Sequence, residues 1–173
     1  MRLILIRHGE TLWNEAHKFQ GFSDIALSSK GRSQAQSLAE SLKEETLAAI
    51  YTSPLIRARL TAEQIARYHD CPVVIDEGLK ELNQGQLEGL TAEDLKRSYP
   101  EFLKNWIQEP ESTPLPQGES LGDLQRRAWD SIGRIVRFTK LWATTTTVPS
   151  GYFLTIFSIE SQALRCRSPK DSP

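Results

Sequence analysis

Arg7 and His8 are the first residues of the sequence whose types could carry out chemistry. They follow four apolar residues in the opening segment MRLILIRHGE. A guanidinium offers a planar fork of N–H donors that suits phosphate or carboxylate, and a neutral imidazole can act as a nucleophile near neutral pH. Gly9 lets a ligand approach the backbone closely. The segment predicts an anion site with a reactive histidine, although a strand with merely solvated last residues has the same pattern.

Two further segments carry residue types that suit phosphate chemistry. In YTSPLIRARLTAE, Arg57 falls in the first turn of a predicted helix, where free N–H groups and the helix dipole attract anions. In LKELNQGQLEGL, Glu81 follows an apolar stretch, and a carboxyl group near a phosphate can protonate the leaving oxygen. Glu88 competes with Glu81 for that role. An exposed ion pair for Arg57 and a surface charge for Glu81 are the structural alternatives.

The elements that must position these residues alternate between strands and helices. Strands are predicted at RLILIRH, which we expect to be buried on both faces, and at LAAIYTS, PVVID and YFLTIFSI. Helices are predicted over 30–43, from Pro54 with Ser53 as its cap, from Thr91 to a break at Pro100, and over 120–138. This alternation predicts an α/β protein with a mainly parallel sheet. Ligands of such sheets bind beyond the carboxyl ends of the strands.

Length and composition narrow the class of protein. A chain of 173 residues favours one core, and a net charge of −1 gives no overall attraction to nucleic acid or to a membrane surface. Cys71 and Cys166 lie in unlike surroundings and are interpreted as free thiols, which predicts a cytoplasmic protein. P-loop and metal-ligand spacings are missing from the sequence, so no cofactor or metal is expected.

The ordered set of motifs resembles the histidine phosphatase superfamily in its phosphoglycerate mutase-like branch. It consists of LILIRHGET, QGFSDIALSSKGRSQA, YTSPLIRARLTAEQIA, LKELNQGQLEGLT and PQGES, and spans about residues 2–137. The resemblance implies a three-layer α/β/α sandwich in which His8 becomes phosphohistidine, Arg7 and Arg57 clamp the phosphoryl oxygens, and Glu81 donates a proton. It also implies contacts with phosphate or substrate at six further positions: Glu10, Thr11, Asn14, Gln20, Gly21 and Arg59.

The activity that the resemblance implies is phosphoryl transfer from a small phosphorylated metabolite. The chain between Glu81 and Pro116 is too short for a long insertion that could form a closing lid. A phosphatase is therefore favoured over a mutase, which remains the alternative. A homodimer is also left open.

The resemblance fails in the last part of the chain. Members of the family carry a second catalytic histidine after a late apolar strand, whereas no histidine follows His69 here. The expected division is a histidine phosphatase-like domain over 1–138 and a tail over 139–173 that has diverged or is read in a shifted frame, with a sheet incomplete at its C-terminal end. Losing one preorganised donor to a phosphoryl group costs about 10²–10³ in rate, so a catalytically impaired phosphate-binding relative is a third interpretation.

Overall fold

Four parallel strands form one sheet in the computed structural model, which describes residues 3–145 and 152–157, with side chains as far as residue 138. The order of the strands is β1-β4-β2-β3, and each neighbouring pair is parallel. Such a sheet requires crossover connections, which the helices supply. The strands are β1 (Leu3–Arg7), β2 (Leu47–Thr52), β3 (Val73–Ile75) and β4 (Tyr152–Phe157).

Helices cover both faces of the central strand β2. Ile50 packs with Ala58 and Ile65 on one face, whereas Tyr51 packs with Leu79 and Ile135 on the other. The result is the predicted α/β/α sandwich. The helices are α1 (Leu12–Glu15), α2 (Ser29–Leu42), α3 (Ile56–Ala66), α4 (Ala92–Ser98), α5 (Pro100–Gln108) and α6 (Leu121–Thr145), and short 3₁₀ turns lie at Glu77–Leu79 and Gly85–Leu87.

Two local predictions are wrong. Strand β1 is not buried on both faces: Ile6 is buried, but Leu5 on the opposite face is 59% exposed. Among the described strands, β1 lies at an edge of the sheet. Ser53 does not cap α3, which begins at Ile56 with no side-chain bond from its N-cap residue. The carboxylate of Asp24 accepts the Ile56 N–H instead, at 2.6 Å. A residue of a distant loop therefore caps α3 in place of Ser53, the local residue that the sequence suggested.

Other local signals are confirmed. Thr91 and Asp94 form a capping box at the start of α4, and Ser120 bonds reciprocally with Asp123 before α6. Pro100 ends α4 as predicted, but it also occupies the first turn of α5, a helix that the sequence analysis did not predict.

The late part of the chain contributes one strand to the described sheet. The predicted strand YFLTIFSI is confirmed over Tyr152–Phe157, and its last two residues lie outside the described residues. This strand, β4, pairs with β1 on one side and β2 on the other. Helix α6 continues past its predicted end at residue 138 to Thr145. Across the described residues, no helix is long and apolar enough to cross a membrane.

Candidate active site

The loop that follows β1 is held against α2 and α3. Gly9 and Gly31 are in backbone contact, and a β-carbon on either would overlap the other segment. The Gly9 N–H donates to the Thr61 hydroxyl at 3.2 Å, and the Glu10 N–H donates to the Gln34 side-chain oxygen at 2.8 Å. These contacts fix the backbone directly after His8, so the imidazole is presented from a rigid support.

The His8 imidazole is buried and has a defined tautomer. Its Nδ1 lies 2.6 Å from the carbonyl oxygen of Gly9. Because a carbonyl only accepts hydrogen bonds, Nδ1 carries the proton and Nε2 carries the lone pair. Among the described residues, Nε2 is buried with no hydrogen-bond partner. An imidazole in this state is a neutral nucleophile with its reactive atom uncommitted.

Burial and nearby charges keep His8 neutral. Burial and, to a smaller extent, the positive charges of Arg57 and Arg7 lower the pKa of His8 to about 3, while the bond to Gly9 opposes the change. Both arginines are therefore close enough to act electrostatically on the imidazole. The same two charges would attract a phosphate to this position.

The lowered pKa of His8 predicts a specific dependence of stability on pH. An unfolded histidine has a pKa of about 6.5, so between about pH 6.5 and pH 3 the unfolded chain binds a proton that the folded chain does not. The destabilisation is absent above this window and grows as the pH falls through it. Urea unfolding measures the free energy of unfolding at about pH 7 and at about pH 5. We expect this free energy to fall less between the two pH values in His8→Gln than in the parent chain. An equal loss in both proteins would contradict the burial of a neutral His8.

A cavity of about 350 Å³ lies beside His8. It brings together four of the predicted site residues, since Arg7, Glu10 and Asn14 line it with His8. Lys30 holds the Glu10 carboxylate at 2.9 Å, and this bond lowers the pKa of Glu10. Four further lining residues carry no local pattern that predicts a place in the site: Gln34, Ala35, Leu38 and Thr61.

Thr11 and Gln20 are joined to each other rather than placed along that cavity. The Thr11 hydroxyl caps α1 together with Asn14, and it donates to the Gln20 side-chain oxygen at 2.7 Å. Both side chains are fully buried. The contacts described for this pair tie α1 to the loop over residues 20–23.

Arg57 anchors the same loop from the start of α3. It is fully buried and donates to the carbonyl oxygens of Gly21, at 2.7 Å, and Ser23, at 2.8 Å. Gly21 adopts a left-handed conformation with φ of +55°, which glycine tolerates best. Arg59 lies two residues further along α3, on its exposed side, where it faces Glu63 at 3.6 Å. It is not among the residues that line the cavity beside His8.

The structure separates the roles of the two candidate glutamates. The Glu88 carboxylate accepts the backbone N–H groups of Phe22, at 2.7 Å, and Ser23, at 2.8 Å, so it holds the loop over residues 20–23. Glu81 is only 3% exposed, and its Oε1 accepts the N–H of Leu82 at 2.9 Å. It does not line the cavity beside His8; it borders a separate, largely apolar cavity of about 240 Å³.

The fold and the histidine together define a class. An α/β sandwich that presents a buried neutral histidine at the end of its first strand, with Arg7 lining the same cavity and the charge of Arg57 acting on the imidazole, is suited to enzymes that handle phosphate through a histidine. The model of the histidine phosphatase superfamily (branch 1) matches residues 3–143, and the chain belongs to this superfamily.

Known proteins similar to this chain include a phosphatase and a probable mutase. Phosphoserine phosphatase 1 of Hydrogenobacter thermophilus is 35% identical over 150 residues, which are 87% of this chain and 70% of the relative. A probable phosphoglycerate mutase of Erwinia tasmaniensis is 39% identical over 127 residues, which are 73% of this chain but only 59% of the relative. The solved structure of Bacillus stearothermophilus YhfR superposes with a TM-score of 0.79 at 32% identity, covering 99% of this chain and 80% of that one.

Proposed function

We propose that the chain is a phosphatase that hydrolyses small phosphate esters through a phosphohistidine on His8. The observation that carries this proposal is the tautomer of His8, because the bond from Nδ1 to Gly9 directs the lone pair to an uncommitted Nε2. The proximity of Arg7 and Arg57 supports a phosphate at that atom. The names of relatives, among them a phosphoserine phosphatase, support the same reaction class.

In the first step, Nε2 of His8 attacks the phosphorus atom of the ester. A nitrogen–phosphorus bond forms as the bond from phosphorus to the alcohol oxygen breaks. Arg7 and Arg57 bind the phosphoryl oxygens and stabilise the charge that develops on them. Glu81, protonated at this stage, gives its proton to the departing oxygen.

In the second step, water takes the place of the alcohol. It attacks phosphorus, the nitrogen–phosphorus bond breaks, and the Glu81 carboxylate accepts a proton from the water. Inorganic phosphate leaves, and His8 returns to its neutral state. Glu10 and Asn14, which line the cavity beside His8, are proposed to contact the substrate.

The setting of this reaction is also part of the proposal. Residues 1–138 are proposed as the catalytic domain and 139–173 as the tail, from which β4 contributes one strand to the sheet of that domain. Residues 146–151 and 158–173 of the tail lie outside the described residues. A cytoplasmic location agrees with Cys71, a free thiol. Thr11, Gln20, Gly21 and Arg59 are kept as candidate substrate contacts on the family resemblance alone, and a homodimer stays a prediction.

Phosphorus NMR of the reaction mixture distinguishes the proposed phosphatase from its alternatives. The chain is incubated with ethyl phosphate, p-nitrophenyl phosphate or 3-phosphoglycerate, with His17→Asn as a control because His17 is exposed. Accumulation of inorganic phosphate with an equal amount of alcohol is expected. Isomerisation of 3-phosphoglycerate without release of phosphate would instead identify a mutase. Phosphate binding without turnover would identify an impaired relative.

A further inference from the structure

Arg127 in α6 contacts the backbone around Glu81 at three carbonyl oxygens. Its guanidinium donates from Nη1 to the carbonyl oxygens of Gly78 and Lys80, both at 3.0 Å, and from Nη2 to the carbonyl oxygen of Glu81 at 3.1 Å. These three bonds come from a single side chain that lies more than forty residues away in sequence. The segment has no strand or α-helix of its own to hold it.

Glu119 completes the arrangement around this segment. Its carboxylate accepts from Nε of Arg127 at 2.9 Å and from Nη2 at 2.8 Å. One carboxylate oxygen also accepts the Asn83 N–H at 2.9 Å, and the Glu119 N–H donates to the Asn83 carbonyl at 2.9 Å. Arg127 and Glu119 thus hold the backbone on both sides of Glu81.

The guanidinium of Arg127 is saturated by these contacts. An arginine has five N–H donors in a rigid plane, and the five bonds to carbonyl and carboxylate oxygens use every one. The side chain is 23% exposed and that of Glu119 is 19% exposed, so water competes weakly. Lysine has three donors on a flexible stem and cannot reproduce this planar pattern.

We propose that Arg127 is a positioning residue for the proton-transfer step, because it fixes the backbone from which the Glu81 carboxyl group reaches the leaving oxygen. The inference rests on the proposed function, in which Glu81 is the proton donor. A general acid must lie within hydrogen-bond distance of its target, and a misplacement of about 1 Å can cost about 10² in rate. Loosening of the segment over residues 78–83 should therefore affect proton transfer first.

The leaving group of the substrate reports on this role. Ethyl phosphate releases a basic alkoxide oxygen that needs a proton, whereas p-nitrophenyl phosphate releases a stable anion that does not. Arg127→Lys is expected to lower kcat/KM for ethyl phosphate by about 10- to 100-fold and to change kcat/KM for p-nitrophenyl phosphate little. Glu119→Gln, which weakens the same arrangement, is expected to show the same selective loss. Arg126→Lys is the matched control, because Arg126 is exposed and its guanidinium pairs with Asp123 at the surface.

The outcomes separate this inference from the proposed function. An equal loss for both esters in Arg127→Lys, or no loss for either, would overturn the positioning role. If Glu81→Gln changes kcat/KM equally for the two esters, Glu81 is not the proton donor, and the positioning role of Arg127 is rejected with it. If Glu81→Gln discriminates and Arg127→Lys does not, only the present inference fails. Should Arg127→Lys lose its cooperative thermal unfolding, the ratio of the two rates in Glu119→Gln decides the question.

Discussion

Replacing His8 with alanine is expected to abolish the hydrolysis of every phosphate ester that the parent chain accepts. The covalent intermediate forms on Nε2 of His8, and alanine offers no atom to take its place. Removal of a catalytic nucleophile costs about 10³-fold or more in kcat. The measurement is the rate of phosphate release from p-nitrophenyl phosphate, which is the more sensitive ester because its leaving group needs no proton.

A matched histidine variant controls for effects on folding. His17 is exposed and adopts a positive φ of 53°, a conformation that asparagine tolerates better than most residues. His17→Asn should therefore retain the parent rate. The thermal unfolding of His8→Ala should remain cooperative, since the loop after β1 is held by backbone contacts of Gly9 and Glu10 that the substitution leaves in place. Turnover at the parent rate in a folded His8→Ala protein would exclude the proposed mechanism.

Glu81→Gln is expected to have the second largest effect, and only on esters with poor leaving groups. Glutamine keeps the side-chain oxygen that accepts the Leu82 N–H but cannot release a proton. General acid catalysis contributes about 10²–10⁴ in rate, so kcat/KM for ethyl phosphate should fall by that range. The value for p-nitrophenyl phosphate should stay near that of the parent, because kcat/KM reports the steps up to the phosphohistidine and this leaving group needs no proton.

Glu77→Gln is the control for this substitution. Glu77 lies directly before the segment over residues 78–83, but its side chain is 71% exposed and pairs with Lys80 at the surface. The substitution should leave kcat/KM for both esters unchanged. If kcat/KM fell equally for both esters in Glu81→Gln, Glu81 would support the site without donating a proton.

The parts of the fold that the sequence predicted correctly depend on local signals. The capping boxes at Thr91 and Ser120 join residues three apart in the chain. The apolar run before Arg7 and the late segment Tyr152–Phe157 form strands because consecutive apolar and β-branched residues suit a pleated backbone. Each of these predictions used information contained within a few residues.

The predictions that failed depend on contacts between distant segments. Asp24 caps a helix 32 residues away, so the local serine gave a false signal. Leu5 is exposed although it lies in an apolar run, because what covers each face of β1 is decided by distant segments that no pattern within the strand reveals. The choice between the two candidate glutamates was open for the same reason, since Glu88 is committed to backbone groups 65 and 66 residues away.

The candidate site shows the same difference between local signals, which could be predicted, and distant contacts, which could not. Arg7 and His8 could be predicted because a strand end and a reactive side chain are adjacent in sequence. Thr61, whose hydroxyl accepts the Gly9 N–H across 52 residues, could not. The five contacts of Arg127 could not be predicted either, because the sequence around a helical arginine does not indicate which distant oxygen atoms its guanidinium will contact.

Trapping of the phosphoenzyme tests the central claim most directly. The chain is mixed rapidly with p-nitrophenyl phosphate and quenched with alkali, since phosphohistidine is labile to acid. The modified peptide is mapped by mass spectrometry, and phosphorus NMR of the quenched protein distinguishes the two ring nitrogens. The structure predicts one phosphoryl group on His8, attached to Nε2, because Nδ1 donates its hydrogen to Gly9. A phosphoryl group on Nδ1, on another residue, or on none while turnover continues would contradict the account.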